Sequence, residues 1–260
     1  MNIRTGRLLS GFCYHMNILN KLLQNIIDLI FPSNCFGCGI EGVWLCKDCI
    51  EKIPILNKNN CFWCNNKDNN ICFSCQQESK LSALFVITAY QNPLFQDMLH
   101  NLKYNFASSI GDTFKLLLIK YFEQNKIDII NKDSVIVPIP LHRKRLAERG
   151  FNQSELIGNH IAEILQLKIN PKLLIRKKNT KSQMTLNRAD RILNMQKSFV
   201  CPDPTQIKGK DIILIDDVLT TGTTIRDAAQ ALRASGCRSV SAIVLAKGGL
   251  INMKDNVRID

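Results

Sequence analysis

Short runs of branched apolar residues recur along the chain, each followed by turn residues and then by a stretch with helical periodicity. Leu84-Phe85-Val86-Ile87, Val135-Ile136-Val137-Pro138-Ile139, Ile212-Ile213-Leu214-Ile215 and Val240–Leu245 have the length and branching of strands buried on both faces. Leu173-Leu174-Ile175 reads as a shorter strand. Asn92-Pro93 places an N-cap and a first-turn proline ahead of Leu94, Met98, Leu99 and Leu102, which predicts a helix ending at Lys103-Tyr104. Further helices are expected over about Ser109–Gln124, Phe151–Leu165 and Asn187–Gln196. Another carries Ile225, Ala228, Ala229 and Leu232 on one face and ends at Gly236. Strands alternating with helices over 81–260 predict an α/β fold, a mostly parallel sheet flanked by helices with right-handed crossovers.

The first 80 residues follow a different pattern. Residues 1–15 offer little that can pack, and Met16 is a second candidate start. Residues 16–31 form an amphipathic pattern built on Ile18, Leu22, Ile26 and Leu29, interrupted by Lys21, Gln24, Asn25 and Asp28. At about 15 residues it is shorter than the roughly 20 apolar residues a bilayer span requires. Phe31-Pro32-Ser33-Asn34 is a poor cleavage site for a signal peptide. The stretch reads as a helix docking on a later part of the chain rather than a transmembrane or peripheral membrane segment, and the protein as cytoplasmic.

Residues 32–80 are organised by cysteine. Cys35, Cys38, Cys46 and Cys49 are spaced C-x2-C-x7-C-x2-C, and Cys61, Cys64, Cys72 and Cys75 repeat the spacing 26 residues later. Phe36 matches Phe62 and Leu45 matches Ile71, so the whole unit is duplicated. Paired C-x2-C knuckles suit a tetrahedral Zn²⁺, and neither repeat has enough apolar residues to fold without a metal. Two structural Zn²⁺ per chain are expected in a small N-terminal double zinc-ribbon domain, the sets holding one each or interleaving. Cys201 and Cys237 stand outside the pattern and take no role.

Charge then narrows the partners. The formal net charge is +12; two four-thiolate zinc sites would lower it to about +8. Between His142 and Arg191 there are 12 Lys or Arg against 4 Asp or Glu, two-thirds of the total excess. A surface this basic selects for anionic ligands.

The stretch Ile212–Thr224 supplies candidate chemistry. A buried strand leads to Asp216 and Asp217 where open α/β sheets bind ligands, and Thr220, Thr221, Gly222, Thr223 and Thr224 then open a helix. Backbone N–H groups at a helix start, with hydroxyls beside them, suit a phosphate dianion. Two carboxylates suit a vicinal diol or a divalent cation. The order of apolar run, acid pair and Thr/Gly loop resembles the phosphoribosyl-pyrophosphate (PRPP) motif of type I phosphoribosyltransferases. That resemblance implies PRPP with Mg²⁺ as ligand.

A second run, Val135–Pro140 followed by Leu141-His142-Arg143-Lys144-Arg145 and Arg149-Gly150-Phe151-Asn152-Gln153, reads as strand, basic loop and helix start. Arg143, Lys144, Arg145 and Arg149 are candidates for a pyrophosphate. Leu102-Lys103-Tyr104, the Val-Pro-Ile-Pro-Leu-His strand, Arg-Gly-Phe-Asn-Gln, the spaced Gln183, Leu186, Arg188, Arg191 and Asn194, and the Asp216–Thr224 motif occur in this order. Together with the cysteine repeat they resemble the ComF family of competence proteins over roughly 18–248. The resemblance implies a double zinc ribbon before a type I phosphoribosyltransferase-like domain. It adds Lys103, Gln183, Arg188 and Arg191 to the pyrophosphate and loop candidates, with 177–194 as the loop that closes over PRPP.

Three functions fit these residues. The resemblance implies handling of single-stranded DNA during uptake by natural transformation, alongside competence machinery such as a helicase. The basic span suits a nucleic-acid backbone, although aromatics are sparse: Phe62, Trp63 and Phe73, with Phe106 and Phe151 elsewhere. The second is an active phosphoribosyltransferase moving a phosphoribosyl group from PRPP to a base or amine. No acceptor pocket and no catalytic residue can be named for it. The third is a regulator that senses PRPP without turnover.

Overall fold

A computed structural model of the chain describes residues 33–56, 60–66, 71–104, 108–125, 127, 130–176 and 198–248. Its centre is a five-stranded sheet of β1 (Ala83–Ala89), β2 (Val135–Pro138), β3 (Lys168–Ile169), β6 (Asp211–Leu219) and β7 (Ser239–Lys247). The order is β1-β7-β6-β2-β3 and every pairing is parallel. β1 is buried at all seven positions, as expected of a strand covered on both faces.

Alternation along the strands sorts the core into two layers. Leu84, Val86, Ile212, Leu214, Val240, Ala242 and Val244 pack with Ile225, Ala228, Ala229 and Leu232 of the helix α7 (Thr223–Ala234). Phe85, Ile87, Ile136, Ile213, Ile215 and Ile243 pack on the other side. There they meet α3 (Pro93–Tyr104), α4 (Ser108–Gln124) and α6 (Gln153–Leu165). Asn92 caps α3 as its sequence predicts, its side-chain oxygen accepting from Phe95 N at 3.1 Å.

Two local expectations are corrected. The basic segment 143–149 is a seven-residue helix, α5 (Arg143–Arg149), and not a loop. Its residues are good helix formers, His142 caps its start through Nδ1 accepting from Lys144 N, and Gly150 closes it at φ 77°. Leu173-Leu174-Ile175 is not a sheet strand. Asn170 caps a 3-10 turn at Pro171–Leu173, leaving β4 (Ile175–Arg176) to pair antiparallel with β5 (Phe199–Val200) away from the main sheet. The sheet gains instead the two-residue edge strand β3, too short to announce itself by periodicity. The predicted segments 1–15 and 16–31 and the helix at 187–196 lie outside the described residues.

The described parts of the cysteine repeats share local features. Each second pair opens a short helix, α1 (Lys47–Glu51) after Cys46 and α2 (Phe73–Ser79) after Cys72. Gly39 at φ 77° and Asn65 at φ 62° occupy matching left-handed positions in the two knuckles. Their surroundings differ. Leu45, Ile50 and Ile53 of the first repeat join the layer of α3 and α4, whereas Phe62 and Ile71 of the second join the layer of α7. Pro54 and Leu56, just after the first repeat, bond to edge strand β1: Leu56 N donates to Ile87 O at 2.9 Å, and Thr88 Oγ1 to Pro54 O at 2.7 Å. The two repeats therefore straddle one edge of the sheet. Among the described residues no helix is long and apolar enough to cross a membrane.

Candidate functional site

Strand order locates a crevice. From β2 the chain moves outward to β3, and from β6 it moves the opposite way to β7, so the segments leaving the adjacent strands β2 and β6 diverge. Ligands of open α/β sheets bind at such a switch point, beyond the carboxyl ends of the strands. Asp216 and Asp217 lie there in the last turns of β6, which extends through both acids to Leu219.

Each acid is held by a different helix. Ser154 Oγ, in the first turn of α6, donates to Asp216 Oδ1 at 3.1 Å. Asn152 fixes that helix start: its Oδ1 accepts from Ser154 N at 3.2 Å, and its Nδ2 donates to Ile139 O at 3.1 Å. Lys103, in the last turn of α3, pairs with Asp217 Oδ2 at 2.9 Å. The backbone turns inward on the pair, with Asp217 N donating to Asp216 Oδ1 at 3.0 Å and Val218 N to Asp217 Oδ1 at 2.7 Å. Burial first, and the neighbouring Asp217 carboxylate second, push the Asp216 carboxyl up to about 7. A group in that range exchanges its proton near neutrality and responds strongly to any cation placed beside it.

The loop after β6 leads into α7 through Gly222 at φ 75°. Thr220, Thr221 and Thr223 are exposed and Thr224 is half-buried; the Thr221 and Thr223 hydroxyls lie 3.0 Å apart. The N–H groups of the first helical turn have no partner within the helix, so with these hydroxyls they offer donors of the kind an anion accepts. Gly222 is buried because Trp63 of the second cysteine repeat lies against it. Arg226, one turn into α7, sets its guanidinium 5.2 Å from the Trp63 ring centre and pairs with Glu78 of α2 at 2.7 Å.

The other predicted residues are distributed as follows. Arg143, Lys144 and Arg145 are exposed on α5, with Arg149 half-buried, beyond the carboxyl end of β2. His142, Lys144, Arg145, Glu148 and Arg176 line an open cavity of about 400 Å³. Arg176 is held there 5.4 Å from the ring centre of Phe199. Gln183, Arg188 and Arg191, with the closing segment 177–194, lie outside the described residues, as does Phe106. Phe62 is buried and Phe151 half-buried, while Phe73 is 72% exposed. Sequence reading missed Ser154, Arg226 and the placement of Trp63. Ser154 adjoins the Arg-Gly-Phe-Asn-Gln run and could have been read with it; the contact of Trp63 with Gly222 has no local signal.

The cysteines form two separate tetrads, Cys35/Cys38/Cys46/Cys49 and Cys61/Cys64/Cys72/Cys75, the sulfurs of each within 4.8 Å of one another. This answers the question of interleaving, since each repeat supplies its own four ligands. Cys38 and Cys46, and likewise Cys64 and Cys72, have sulfurs 3.6 Å apart. An ion about 2.3 Å from four tetrahedral sulfurs spaces them about 3.8 Å apart, so each tetrad fits one Zn²⁺. Burial alone would raise the Cys35 thiol, but N–H groups of Cys46, Gly37 and Cys38 aimed at its sulfur outweigh it and hold it at about 6. The same contest in the second tetrad holds Cys61 at about 7. Burial and the neighbouring sulfurs push Cys49 up to about 12, a repulsion that a bound cation would relieve. With all four positions of each tetrad taken by sulfur, the role of such an ion is structural.

Residues 153–256 match the family described as "Phosphoribosyl transferase domain". The chain is 27% identical over 227 residues to DNA utilization protein YhgH of Escherichia coli, covering 84% of this chain and 99% of that protein. It is 28% identical over 212 residues to Competence protein ComFC of Bacillus subtilis, covering 78% of this chain and 84% of that one. Among solved structures, glutamine PRPP amidotransferase from B. subtilis in complex with ADP and GMP aligns with a TM-score of 0.35 at 17% identity. That alignment covers 56% of this chain and 26% of the amidotransferase.

Proposed function

Because this chain belongs to the ComF family, a phosphoribosyltransferase-type sheet joined to paired cysteine ribbons, we propose that it binds PRPP with Mg²⁺ and handles incoming single-stranded DNA. The observation that carries the PRPP reading is the acid pair of β6, held by Ser154 and Lys103 beside the N-terminus of α7. Asp216 and Asp217 bind the ribose 2′- and 3′-hydroxyls, directly or through Mg²⁺. Thr220, Thr221, Gly222, Thr223 and Thr224 hold the 5′-phosphate. Lys103 and the basic helix α5, through Arg143, Lys144, Arg145 and Arg149, provide cations for the pyrophosphate. When bound, Mg²⁺ screens the phosphate charge from the two carboxylates. Zn²⁺ in the two tetrads holds the ribbons folded.

The DNA reading is supported by what the relatives are named for, DNA utilization and competence, and by the exposed cations of α5 with Arg176. It places the protein in the cytoplasm, where a transforming strand arrives and where a competence helicase would be its neighbour. The match to a phosphoribosyltransferase domain supports a second reading, transfer of the phosphoribosyl group to a base or amine. A PRPP sensor would use the same site without turnover.

Calorimetry of PRPP·Mg²⁺ against the wild type and the Asp216→Asn, Asp217→Asn double variant tests the site. Losing charge-assisted hydrogen bonds of roughly 1.5–3 kcal/mol each should weaken binding at least tenfold. Wild-type protein that binds no PRPP at millimolar concentration would sink the proposal. Release of pyrophosphate on adding bases or amines would favour the transferase; binding without release, together with salt-sensitive binding of single strands, favours DNA handling.

A further inference from the structure

The phosphate loop is completed by the second cysteine repeat. A methyl group placed on Gly222 would come 2.3 Å from Cζ2, 2.8 Å from Cη2 and 2.9 Å from Cε2 of Trp63, so the indole fills the face of the loop where a side chain would otherwise stand. Gly222 is thus required twice, for its φ of 75° and for this contact. Trp63 is itself fixed from the metal side. It lies between Cys61 and Cys64, and its backbone N–H donates to Cys61 Sγ at 3.4 Å. Arg226 then ties the assembly together, covering the Trp63 ring while paired to Glu78 on α2. Beneath it Phe62, Ile71, Cys72 and Cys75 pack with Ile225, Ala228 and Ala229 of α7. The core residues of the first repeat lie instead in the layer on the opposite face of the sheet.

We infer that Trp63 is a positioning residue for the 220–224 loop, through which the second cysteine tetrad, and not the first, sets the affinity of the phosphate site. This inference rests on the PRPP reading for its ligand but not for its geometry. An anion-binding end works by pre-aimed N–H groups, so a loop free to change its φ and ψ loses affinity although every ligand contact remains available. Contacting residues couple strongly enough for a roughly tenfold effect. By reciprocity, a ligand seated in the loop should stabilise the knuckle that carries Trp63 and slow loss of its metal.

The test uses the full chain with both tetrads loaded. Hydrogen exchange over 219–227 is measured without ligand for wild type, Trp63→Ala and Trp63→Phe, and PRPP·Mg²⁺ affinity by calorimetry for the same three proteins. Trp63→Ala should lose protection in that segment alone and bind PRPP about tenfold more weakly. Trp63→Phe keeps an apolar ring in the ribbon but cannot reach as far as Cζ2 and Cη2, so it should be intermediate in both. PRPP should also slow chelator removal of one of the two metal equivalents in wild type, and much less in Trp63→Ala. Unchanged loop protection, or tighter binding by the Ala variant, overturns the inference. If Trp63→Ala loses metal outright, the Phe variant decides by the same criteria. If wild type binds no PRPP, the functional proposal fails, and loop protection alone decides whether Trp63 positions the loop.

Discussion

Asp216→Asn should make this protein more stable above neutral pH while weakening the proposed binding of PRPP. The carboxyl of Asp216 is carried from its ordinary value of 3.8 to about 7, chiefly by burial and then by Asp217. A raised carboxyl means that the native state holds a proton the unfolded chain has already released. Stability is therefore lost as pH rises from about 4 to about 7 and stays low above that range. At 1.36 kcal/mol per pH unit the ceiling is about 4 kcal/mol. The side chain keeps partial access to water and lies near Lys103, and screening brings the expected cost to roughly 2 kcal/mol. Asparagine preserves the shape and can still meet the Ser154 hydroxyl, but carries no charge to bury. Thermal unfolding of both proteins across pH 5–8.5 is the assay, read as the difference in Tm so that the thiolates and other groups common to both cancel. The variant should gain on wild type as pH rises, levelling just above pH 7 at about 4 °C or more for a chain of this size. A variant less stable than wild type at pH 8, or a difference independent of pH, would refute the reasoning.

Elemental analysis should find two zinc ions per chain, and one in either Cys46→Ser or Cys72→Ser; fewer than one in the wild type, or intact disulfides, would end the metal reading. Cys46→Ser should also lower the Tm of the whole chain, because Leu45, Ile50 and Ile53 share a core layer with α3 and α4; a ribbon that unfolds with the sheet untouched, by hydrogen exchange, would contradict this. Lys120→Met should destabilise by about 2 kcal/mol or more in denaturant titration, since the Lys120 ammonium donates to the Ile50, Glu51 and Ile53 carbonyls at 3.3, 2.8 and 3.1 Å and replacing it strands those acceptors. Reversing Lys144, Arg145 and Arg176 to Glu should weaken single-strand binding and flatten its dependence on log salt by roughly two units if all three touch phosphate; loss of PRPP binding with an unchanged salt slope would assign these cations to the pyrophosphate instead.

Sequence pattern carried the sheet where burial on both faces left no polar position to confuse the period. β1, β2, β6 and β7 were each visible as largely apolar runs, and the Asn92-Pro93 start of α3 was legible from capping chemistry alone. Short elements were not. β3 and β5 are two residues each, set by what they pair with rather than by their own side chains. The run of cations at 143–149 suggests a solvated loop, although Arg, Lys, Leu, Ala and Glu all favour a helix once His142 and Gly150 fix its ends. In the site, the acids and the Thr/Gly loop were legible because adjacent residues in one segment bring their chemistry together. Ser154, Lys103 and Trp63 reach them from three other elements, and such contacts are products of strand order, which local sequence does not encode.

The cysteine repeats carry that argument furthest. Two segments with the same ligand spacing, the same left-handed knuckle position and the same helix after the second pair would be read as equivalent from sequence. They are equivalent only up to the cysteine tetrads. Pro54 and Leu56, which follow the first repeat, bond to β1, the edge strand, and the core residues of the two repeats join opposite faces of the sheet. On one face the carbonyls ending α1 meet Lys120 of α4, a contact that holds the scaffold. On the other, Trp63 meets Gly222 at the N-terminus of α7. Duplication followed by docking on opposite faces gives the two sites different dependents, and losing one metal should not have the same consequence as losing the other.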